Sequence, residues 1–367
     1  MAGHNWIALL VRSGATVVIF LALASCTFLN DAGAPESGQR SVADSELPAN
    51  LVWPPPPEKA RYRLDAVLVG EQTVSGKGSG SSVLTDFGRL IAGIETGKQK
   101  RKDLLRPTSG LTLEDGSVLV VDAGLKAVVR FDFAKKEFAI WDKSGRDRDF
   151  KTPIAVVEDG NSGYLVTDSE LGRVVRLAKD GKPLGEFGEG ALTRPTGLAR
   201  DPDSGAIFVT DTAHHVVKKF SSSGKLLKTI GGPGTAVGRF NAPTYLSFAG
   251  GRLFVSDTLN FRVQSFDRDG ASPMAFGKAG VYVGQFTRPK GVAVGGDGRI
   301  YVVESQQDYL LVFDPKGQLV LPIEGRGEIG SFYLPGGVWT DAKQNVYVAD
   351  TLNGRVVVLK ELTKLEG

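Results

Sequence analysis

The chain has 367 residues, with 44 Lys and Arg against 41 Asp and Glu, which gives a formal net charge of +3. This near balance gives no indication of nucleic-acid binding. A single cysteine excludes an intramolecular disulfide, and therefore a small scaffold held together by disulfides. A chain of this length can bury one large hydrophobic core.

Residues 1–25 have the pattern of a secretory signal peptide. An apolar run over residues 15–24 ends in the sequence Leu23-Ala24-Ser25-Cys26. This ending resembles the lipobox of bacterial lipoproteins, which implies cleavage before Cys26, a lipid on that residue and a lipid anchor in the bacterial cell envelope. The residue that follows Cys26 is Thr27 and not Asp. In bacterial lipoproteins this resemblance implies export to the periplasmic side of the outer membrane. A plain signal peptide or an uncleaved anchor is the alternative.

Residues 26–59 are predicted to form a flexible and Pro-rich tether. The stretch 30–50 offers little that could pack, and four prolines at positions 54–57 favour an extended chain. We interpret the Pro run as a spacer. A docking motif for a Pro-binding domain is the alternative.

A β run at residues 60–70 and an insert at about 72–105 follow the tether. The insert contains apolar residues at helical spacing between positions 83 and 94, and then the basic run Lys98-Gln99-Lys100-Arg101-Lys102. We expect the helix to pack on the rest of the protein and the basic run to be solvated. Contact with a membrane surface is the alternative for both segments.

The remainder of the chain contains six copies of one unit. In the clearest copy, residues 345–360, two β runs flank a polar turn, which predicts a hairpin. The first β run of each copy ends in an acidic residue, and these residues lie 43 to 47 positions apart: Asp122, Asp168, Asp211, Asp257, Glu304 and Asp350. One β run before this hairpin and one after it bring each unit to four antiparallel strands, which is typical of a propeller blade.

We therefore predict an all-β fold, a six-bladed β-propeller within residues 60–367. The last copy has only three clear strands. Residues 60–70 are predicted to supply its missing strand, so that an N-terminal strand closes the ring and removes an exposed sheet edge.

The repeat also resembles a known family. The pattern Pro-x-Gly-Val-Ala-Val, followed by Asp-Gly-x-Ile-Tyr-Val, resembles the NHL repeat and is carried by residues 195–211, 289–304 and 335–350. The whole chain resembles bacterial six-bladed NHL-repeat lipoproteins. This resemblance implies a fold and not a function, because propellers include binding modules, lactonases and lyases.

Binding is better supported than catalysis. The resemblance to NHL-like lyases implies a His-rich zinc site, but beyond residue 25 the only histidines are the adjacent His214 and His215. A lactonase-type cation site needs carboxylates, and none occurs directly after the Pro that opens each first strand: Thr108, Ile154, Thr196, Thr244, Lys290 and Gly336. The six repeat acids are better explained as turn caps that bind backbone amides. We predict no catalytic residue, no metal and no cofactor.

One face of the predicted propeller carries the candidate binding residues. Arg106, Arg194 and Arg288 each precede the Pro of a first strand on alternate blades, with Lys290 and the Thr hydroxyls just inside the channel. The planar guanidinium group suits carboxylates and phosphates. For these arginines themselves we expect that each pairs with a neighbouring repeat acid and ties blades together, and anion binding is the alternative. Further candidates come from turns that depart from the repeat: His214, His215, Gln307 and Tyr309.

The sequence thus favours an envelope-anchored, non-catalytic platform for a protein partner or a small anionic ligand. No nucleic acid is expected, and the membrane is contacted through the lipid anchor. The alternatives are a propeller hydrolase or lyase of the lactonase type, and a structural component of an envelope assembly.

Overall fold

The computed structural model describes residues 51–75, 102–325 and 327–362. The predicted signal peptide, Cys26, most of the tether and the predicted helix between 83 and 94 lie outside these residues. Within them, no helix is long and apolar enough to span a membrane. The described chain begins with β1 (Val52–Trp53), β2 (Tyr62–Leu68) and a short helix, α1 (Glu71–Ser75).

Five blades follow, and each is a sheet of four antiparallel strands. Blade one contains β3 (Pro107–Thr112), β4 (Val118–Asp122), β5 (Ala127–Asp132) and β6 (Glu137–Trp141), and blade two contains β9 (Pro153–Glu158), β10 (Tyr164–Asp168), β11 (Arg173–Leu177) and β12 (Pro183–Phe187). Blade three contains β13 (Pro195–Arg200), β14 (Ile207–Asp211), β15 (Val216–Phe220) and β16 (Leu226–Gly231), and blade four contains β17 (Pro243–Ala249), β18 (Arg252–Asp257), β19 (Arg262–Asp267) and β20 (Met274–Phe276). Blade five contains β21 (Pro289–Val294), β22 (Ile300–Glu304), β23 (Tyr309–Phe313) and β24 (Leu319–Glu324). A hairpin of β7 (Lys143–Gly145) and β8 (Arg148–Asp149) connects the first two blades.

The sixth blade joins the two ends of the described chain. It contains β25 (Val338–Thr340), β26 (Val346–Asp350) and β27 (Arg355–Glu361), and its sheet order is β1-β2-β27-β26-β25. β2 pairs antiparallel with β27 along its length, and β25 contacts β3 of blade one. The prediction of a six-bladed propeller closed by an N-terminal strand is therefore confirmed.

The predicted tether ends earlier than residue 59. β1 pairs with β2 at the edge of the sixth blade, and the Trp53 side chain is buried in the core between blades five and six. Its indole Nε1 donates a hydrogen bond of 2.8 Å to the carbonyl oxygen of Glu324. A buried Trp with its N–H satisfied contributes a large apolar area, so this segment is part of the fold despite the prolines that follow it.

Buried polar contacts hold the closing strand against blade five. The hydroxyls of Tyr62 and Tyr301 lie 3.1 Å apart, and Arg299 donates to the Tyr62 hydroxyl at 3.1 Å. Arg299 also forms an ion pair with Glu361 at the end of β27. Burial raises the pKa of both tyrosines, so their hydroxyls stay protonated and can donate.

The second strands have the strongest apolar pattern because each blade packs on a neighbour through both faces. All five residues of β4 are buried, and β10, β14, β22 and β26 show the same pattern. The apolar clusters lie between adjacent blades, such as blades five and six. Each of these strands ends in a repeat acid that is also buried, and these acids organise the face described next.

Candidate functional site

One face of the ring collects the candidate residues, and we call it the top face. Each first strand begins there and each second strand ends there, because the two strands are antiparallel. The opening Pro of the first strand is paired with the repeat acid, as in Pro195 with Asp211 and Pro289 with Glu304. The turns that follow the acids lie on the same face, and in three blades they begin as 3₁₀ turns: Thr212–His214, Thr258–Asn260 and Thr351–Asn353.

The six repeat acids hold the backbone of the top face. Asp122 accepts hydrogen bonds from four backbone amides, two before the first strand and two in the following turn. Asp168 repeats this pattern in blade two. In blades four and six, Asp257 and Asp350 bind one such amide and the side chains of the Asn and Arg in their turns. The prediction that the acids cap the turns after them is confirmed in blades one, two and five, where turn amides donate to Asp122, Asp168 and Glu304. In blades three, four and six the acids bind backbone amides ahead of the first strand and side chains of the turn instead.

Because the repeat acids bind backbone amides, they do not pair with the guanidinium groups of the three candidate arginines. Asp122, Asp211 and Glu304 accept hydrogen bonds from the backbone amides of Arg106, Arg194 and Arg288, at 3.0, 2.9 and 2.9 Å. The guanidinium groups themselves are exposed, and none forms an ion pair with a residue of the described chain. The expectation that the guanidinium groups tie the blades through the repeat acids is therefore wrong.

Lys290 shares the top face with these arginines, and the charges of two of them act on it. It is partly buried at the start of β21, and its ammonium group makes no hydrogen bond or ion pair within the described residues. Burial, and to a smaller extent the positive charges of Arg288 and Arg194, lower the pKa of Lys290 to about 8. Arg194 belongs to blade three and Lys290 to blade five, so their charges interact across the mouth of the channel. We call Arg194, Arg288 and Lys290 the cationic mouth.

The Thr hydroxyls inside the mouth are engaged in contacts between blades. Thr108 donates to the carbonyl oxygen of Ile154 at 2.7 Å, and Thr196 donates to that of Thr244 at 2.8 Å. The Thr244 hydroxyl lies 2.7 Å from that of Thr258 in the same blade, and Thr258 in turn donates to the carbonyl oxygen of Pro289 in blade five at 2.9 Å. These hydroxyls were predicted to line the channel as ligand contacts, and their visible role is to join one blade to the next.

Tyr245 closes the channel beneath the mouth. Its hydroxyl crosses from blade four to blade one and donates a 3.0 Å hydrogen bond to the carbonyl oxygen of Thr108. Burial raises the pKa of Tyr245, so the phenol stays protonated. Sequence reasoning missed this residue, although a signal existed. The other five blades have a small residue at the equivalent position: Ser109, Ala155, Gly197, Gly291 and Gly337.

The remaining candidates hold loops in place. His214 Nδ1 lies 2.9 Å from Asp211, and His215 Nδ1 accepts the Ala242 amide at 2.9 Å. The Gln307 amide donates to the carbonyl oxygen of Gly280 at 3.1 Å. The Tyr309 hydroxyl, on the third strand of blade five, donates to Glu324 at 3.3 Å. The structure therefore places these four residues in contacts of turns and outer strands, and their predicted role in binding stays a prediction.

A concavity opens on the opposite face of the ring. It has a volume of about 380 Å³, and the ends of all six first strands line it. Phe248 and Trp339 provide apolar walls, while Glu158 and Arg200 are its charged groups. Tyr245 also lines this cavity.

The described residues contain no group of three or more His, Cys, Asp or Glu side chains placed to hold a metal ion. The repeat acids and the two histidines are occupied by the backbone and side-chain bonds given above. The top face therefore carries the exposed Arg106, Arg194 and Arg288, while the six repeat acids are buried in the bonds of their own blades.

Comparison with known proteins identifies the fold and no family. No family model and no curated protein matches the sequence. A streptogramin B lyase has 13% identity and a TM-score of 0.54, with 71% of this chain and 94% of the lyase covered. A gluconolactonase of Xanthomonas campestris has 17% identity and a TM-score of 0.54, with coverages of 71% and 87%. A nidogen/laminin complex structure has 17% identity and a TM-score of 0.52, with coverages of 70% and 91%. At such identities the likeness shows the six-bladed propeller alone.

Proposed function

We propose that the top face is a platform that binds an anionic group, a carboxylate or a phosphate, and that it does so without catalysis. The observation that carries this proposal is the cationic mouth. It brings together two guanidinium groups and a partly buried ammonium group, and no carboxylate of the described chain pairs with them.

The electrostatics of the mouth favour an anion. Three like charges repel one another, and the pKa of Lys290 is lowered by burial first and then by the charges of Arg288 and Arg194. An anion placed between the groups would remove the repulsion and provide hydrogen-bond acceptors. Arg194 and Arg288 can each donate two parallel bonds to such a group. Tyr245 would form the floor of the site.

Calorimetric titration of the purified protein with inorganic phosphate and with citrate tests the proposal. We expect binding at low salt that weakens as salt is added. The double variant Arg194→Gln/Arg288→Gln should lose at least about tenfold in affinity, because charge-assisted hydrogen bonds contribute about 1.5–3 kcal/mol each. The matched control is Arg146→Gln/Lys278→Gln, which removes two exposed positive charges outside the mouth. Equal losses in both variants, or no binding of either anion, would contradict the proposal.

The anion could belong to a small molecule or to an acidic segment of a protein partner, and one variant separates the two sources. The loop between blades four and five exposes Val281, Tyr282 and Val283, with Tyr282 76% exposed. A protein seated on the top face would contact this loop, whereas phosphate would not. Tyr282→Ser should therefore weaken a captured protein partner and leave phosphate binding unchanged. If Tyr282→Ser weakens the affinity for phosphate and for the protein partner together, the loop affects binding through the stability of the fold and not by contact with the partner.

The site of action is part of the proposal. The sequence around Cys26 supports a lipid anchor in the bacterial cell envelope, on the periplasmic side of the outer membrane. An assembly role within the envelope would use the same anchor. A lactonase-type or lyase-type activity is the other candidate, because a gluconolactonase and a lyase share the fold. Hydrolysis of gluconolactone by the purified protein would support that candidate.

A further inference from the structure

The concavity on the face opposite the top face has the size and the lining of a small-molecule site. Its volume of about 380 Å³ lies within the range of pockets that bind small molecules, about 300–1,000 Å³. We call it the lower cavity, and the argument below concerns four of its lining residues: Glu158, Arg200, Phe248 and Trp339. They provide two aromatic surfaces and one charge of each sign.

The aromatic walls of the lower cavity are held by neighbouring side chains. The Trp339 ring stacks on Tyr347 with their centroids 5.2 Å apart, and its indole Nε1 donates a 3.2 Å hydrogen bond to the Thr112 hydroxyl. The Phe248 ring of blade four stacks on Phe208 of blade three at 5.6 Å. Side chains that are already fixed lose little conformational entropy when a ligand binds. The walls therefore suit the apolar part of a ligand.

The guanidinium group of Arg200 lies between two turns of neighbouring blades. Its Nη2 atom is 3.2 Å from the position that a Cβ atom on Gly160 of blade two would occupy, and 3.3 Å from the corresponding position at Gly205 of blade three. Its Nε atom is buried and has no hydrogen-bond acceptor in the part of the chain that the structure describes. A buried donor without an acceptor costs free energy, so an anion that reached this group would be stabilised.

The acids of these two turns are used by other cations. Asp159 forms an ion pair with Arg176. Arg268 lies 3.7 Å from Asp201 and 3.1 Å from Asp203. These ion pairs explain why the guanidinium group between the turns has no carboxylate of its own among residues 51–75, 102–325 and 327–362.

Glu158 is the acid that lines the lower cavity together with Arg200. Its carboxylate makes no ion pair or hydrogen bond with a described residue, although the guanidinium group lies over Gly160, two residues further along the chain. Burial raises the pKa of Glu158, which is consistent with a carboxylate that lacks a bound cation. The cavity therefore holds an unpaired negative charge beside an unpaired positive charge.

We propose that the lower cavity binds a free α-amino acid with an apolar side chain. Its carboxylate would accept hydrogen bonds from Arg200, and its ammonium group would donate to Glu158. The side chain would lie against Phe248 and Trp339. An α-amino acid fits because it carries both charges on one carbon atom, whereas Glu158 repels a simple carboxylic acid and Arg200 repels a simple amine. The site is separate from the cationic mouth and does not depend on the function proposed for it.

Calorimetric titration of the purified protein with L-phenylalanine and L-leucine tests the inference. 3-Phenylpropanoate lacks the ammonium group and 2-phenylethylamine lacks the carboxylate. Each should bind at least about tenfold more weakly than L-phenylalanine, because each loses the charge-assisted hydrogen bonds of one pole. If neither amino acid binds, or if either one-charge analogue binds as well as L-phenylalanine, the inference is wrong.

Two variants assign the poles of the ligand to residues. Arg200→Gln and Glu158→Gln should each lower the affinity for L-phenylalanine at least about tenfold. Arg200→Gln should also remove the preference for L-phenylalanine over 2-phenylethylamine. The matched controls, Lys179→Gln and Glu114→Gln, remove the same charges from exposed residues of the same face that do not line the cavity. Equal losses in variants and controls would overturn the inference. Thermal unfolding shows whether each variant is folded, and the ligand comparison on the unmodified protein decides even if one is not.

The outcome is distinguishable from the fate of the proposed anion site. Arg194→Gln/Arg288→Gln should weaken phosphate binding and leave the affinity for L-phenylalanine unchanged. If this variant weakens both, the amino acid binds at the cationic mouth and the inference is wrong. If phosphate does not bind while L-phenylalanine binds with the stated dependence on Arg200 and Glu158, only the proposal for the cationic mouth is wrong.

Discussion

Replacing Lys290 by Met should make the protein more stable and less able to bind anions. The long apolar part of the Lys side chain resembles Met in volume, so the substitution chiefly removes the ammonium group. That group is partly buried beside Arg288 and Arg194, and it has no counter-charge in the described chain. A site that holds like charges together for a ligand is expected to reduce the stability of the unliganded fold.

The expected magnitude follows from the pKa of Lys290. A fall from 10.5 to about 8 on folding corresponds to roughly 3 kcal/mol at pH values below 8. Between pH 8 and 10.5 the unfolded state binds more protons than the native state, so the wild type gains stability as pH rises through this window. The advantage of the Met variant should therefore be about 3 kcal/mol at pH 7, about 2 at pH 9 and about 1 at pH 10.

Urea unfolding of both proteins at these three pH values measures the difference. Lys278→Met is the matched control, because Lys278 is exposed on a loop of the same face and a surface substitution usually changes stability by less than about 0.5 kcal/mol. The reasoning is refuted if Lys290→Met is neutral or destabilising at pH 7, or if its advantage does not shrink as pH rises.

Four further predictions concern the anchor, the ring closure and the core. Cys26→Ser should release the protein from the membrane fraction and stop its lipid processing, and an unchanged distribution in cell fractionation would exclude the lipid anchor. Deletion of residues 51–70 should expose the edge of β27 and cause aggregation or a loss of several kcal/mol; unchanged cooperative melting would argue against closure by β2. Arg355→Met should destabilise the fold by about 3–5 kcal/mol, because it leaves the buried carboxylate of Asp350 without its ion pair; chemical unfolding measures this. Tyr245→Phe should cost about 1 kcal/mol through loss of one hydrogen bond, and a much larger loss would mean that the hydroxyl has further partners.

The architecture could be predicted from the sequence because its determinants are local and repeated. Alternating apolar residues, turn residues and an acid at the end of each second strand recur six times; five copies specify four strands each, and the last specifies three. The closure of the ring could also be inferred from the sequence. The last copy of the repeat, from residue 332 onward, has one strand too few, and residues 60–70 form a β run that belongs to no other copy. β1 was not predicted, because it is short and is followed by four prolines, which favour an extended spacer. Its stability comes from packing on blade five, which the local sequence does not show.

The chemistry of the mouth depended on the tertiary structure. The sequence alone determined which residues precede and follow each opening Pro, and so placed Arg194, Arg288 and Lys290 on one face. Whether the repeat acids bind guanidinium groups or amides depends on the geometry of each turn, and the amides are the partners that lie within reach. The interaction of Lys290 with Arg194, two blades away, and the reach of Tyr245 across the channel depend on the diameter of the closed ring. That distance results from how six blades pack around an axis, and no local pattern in the chain encodes it.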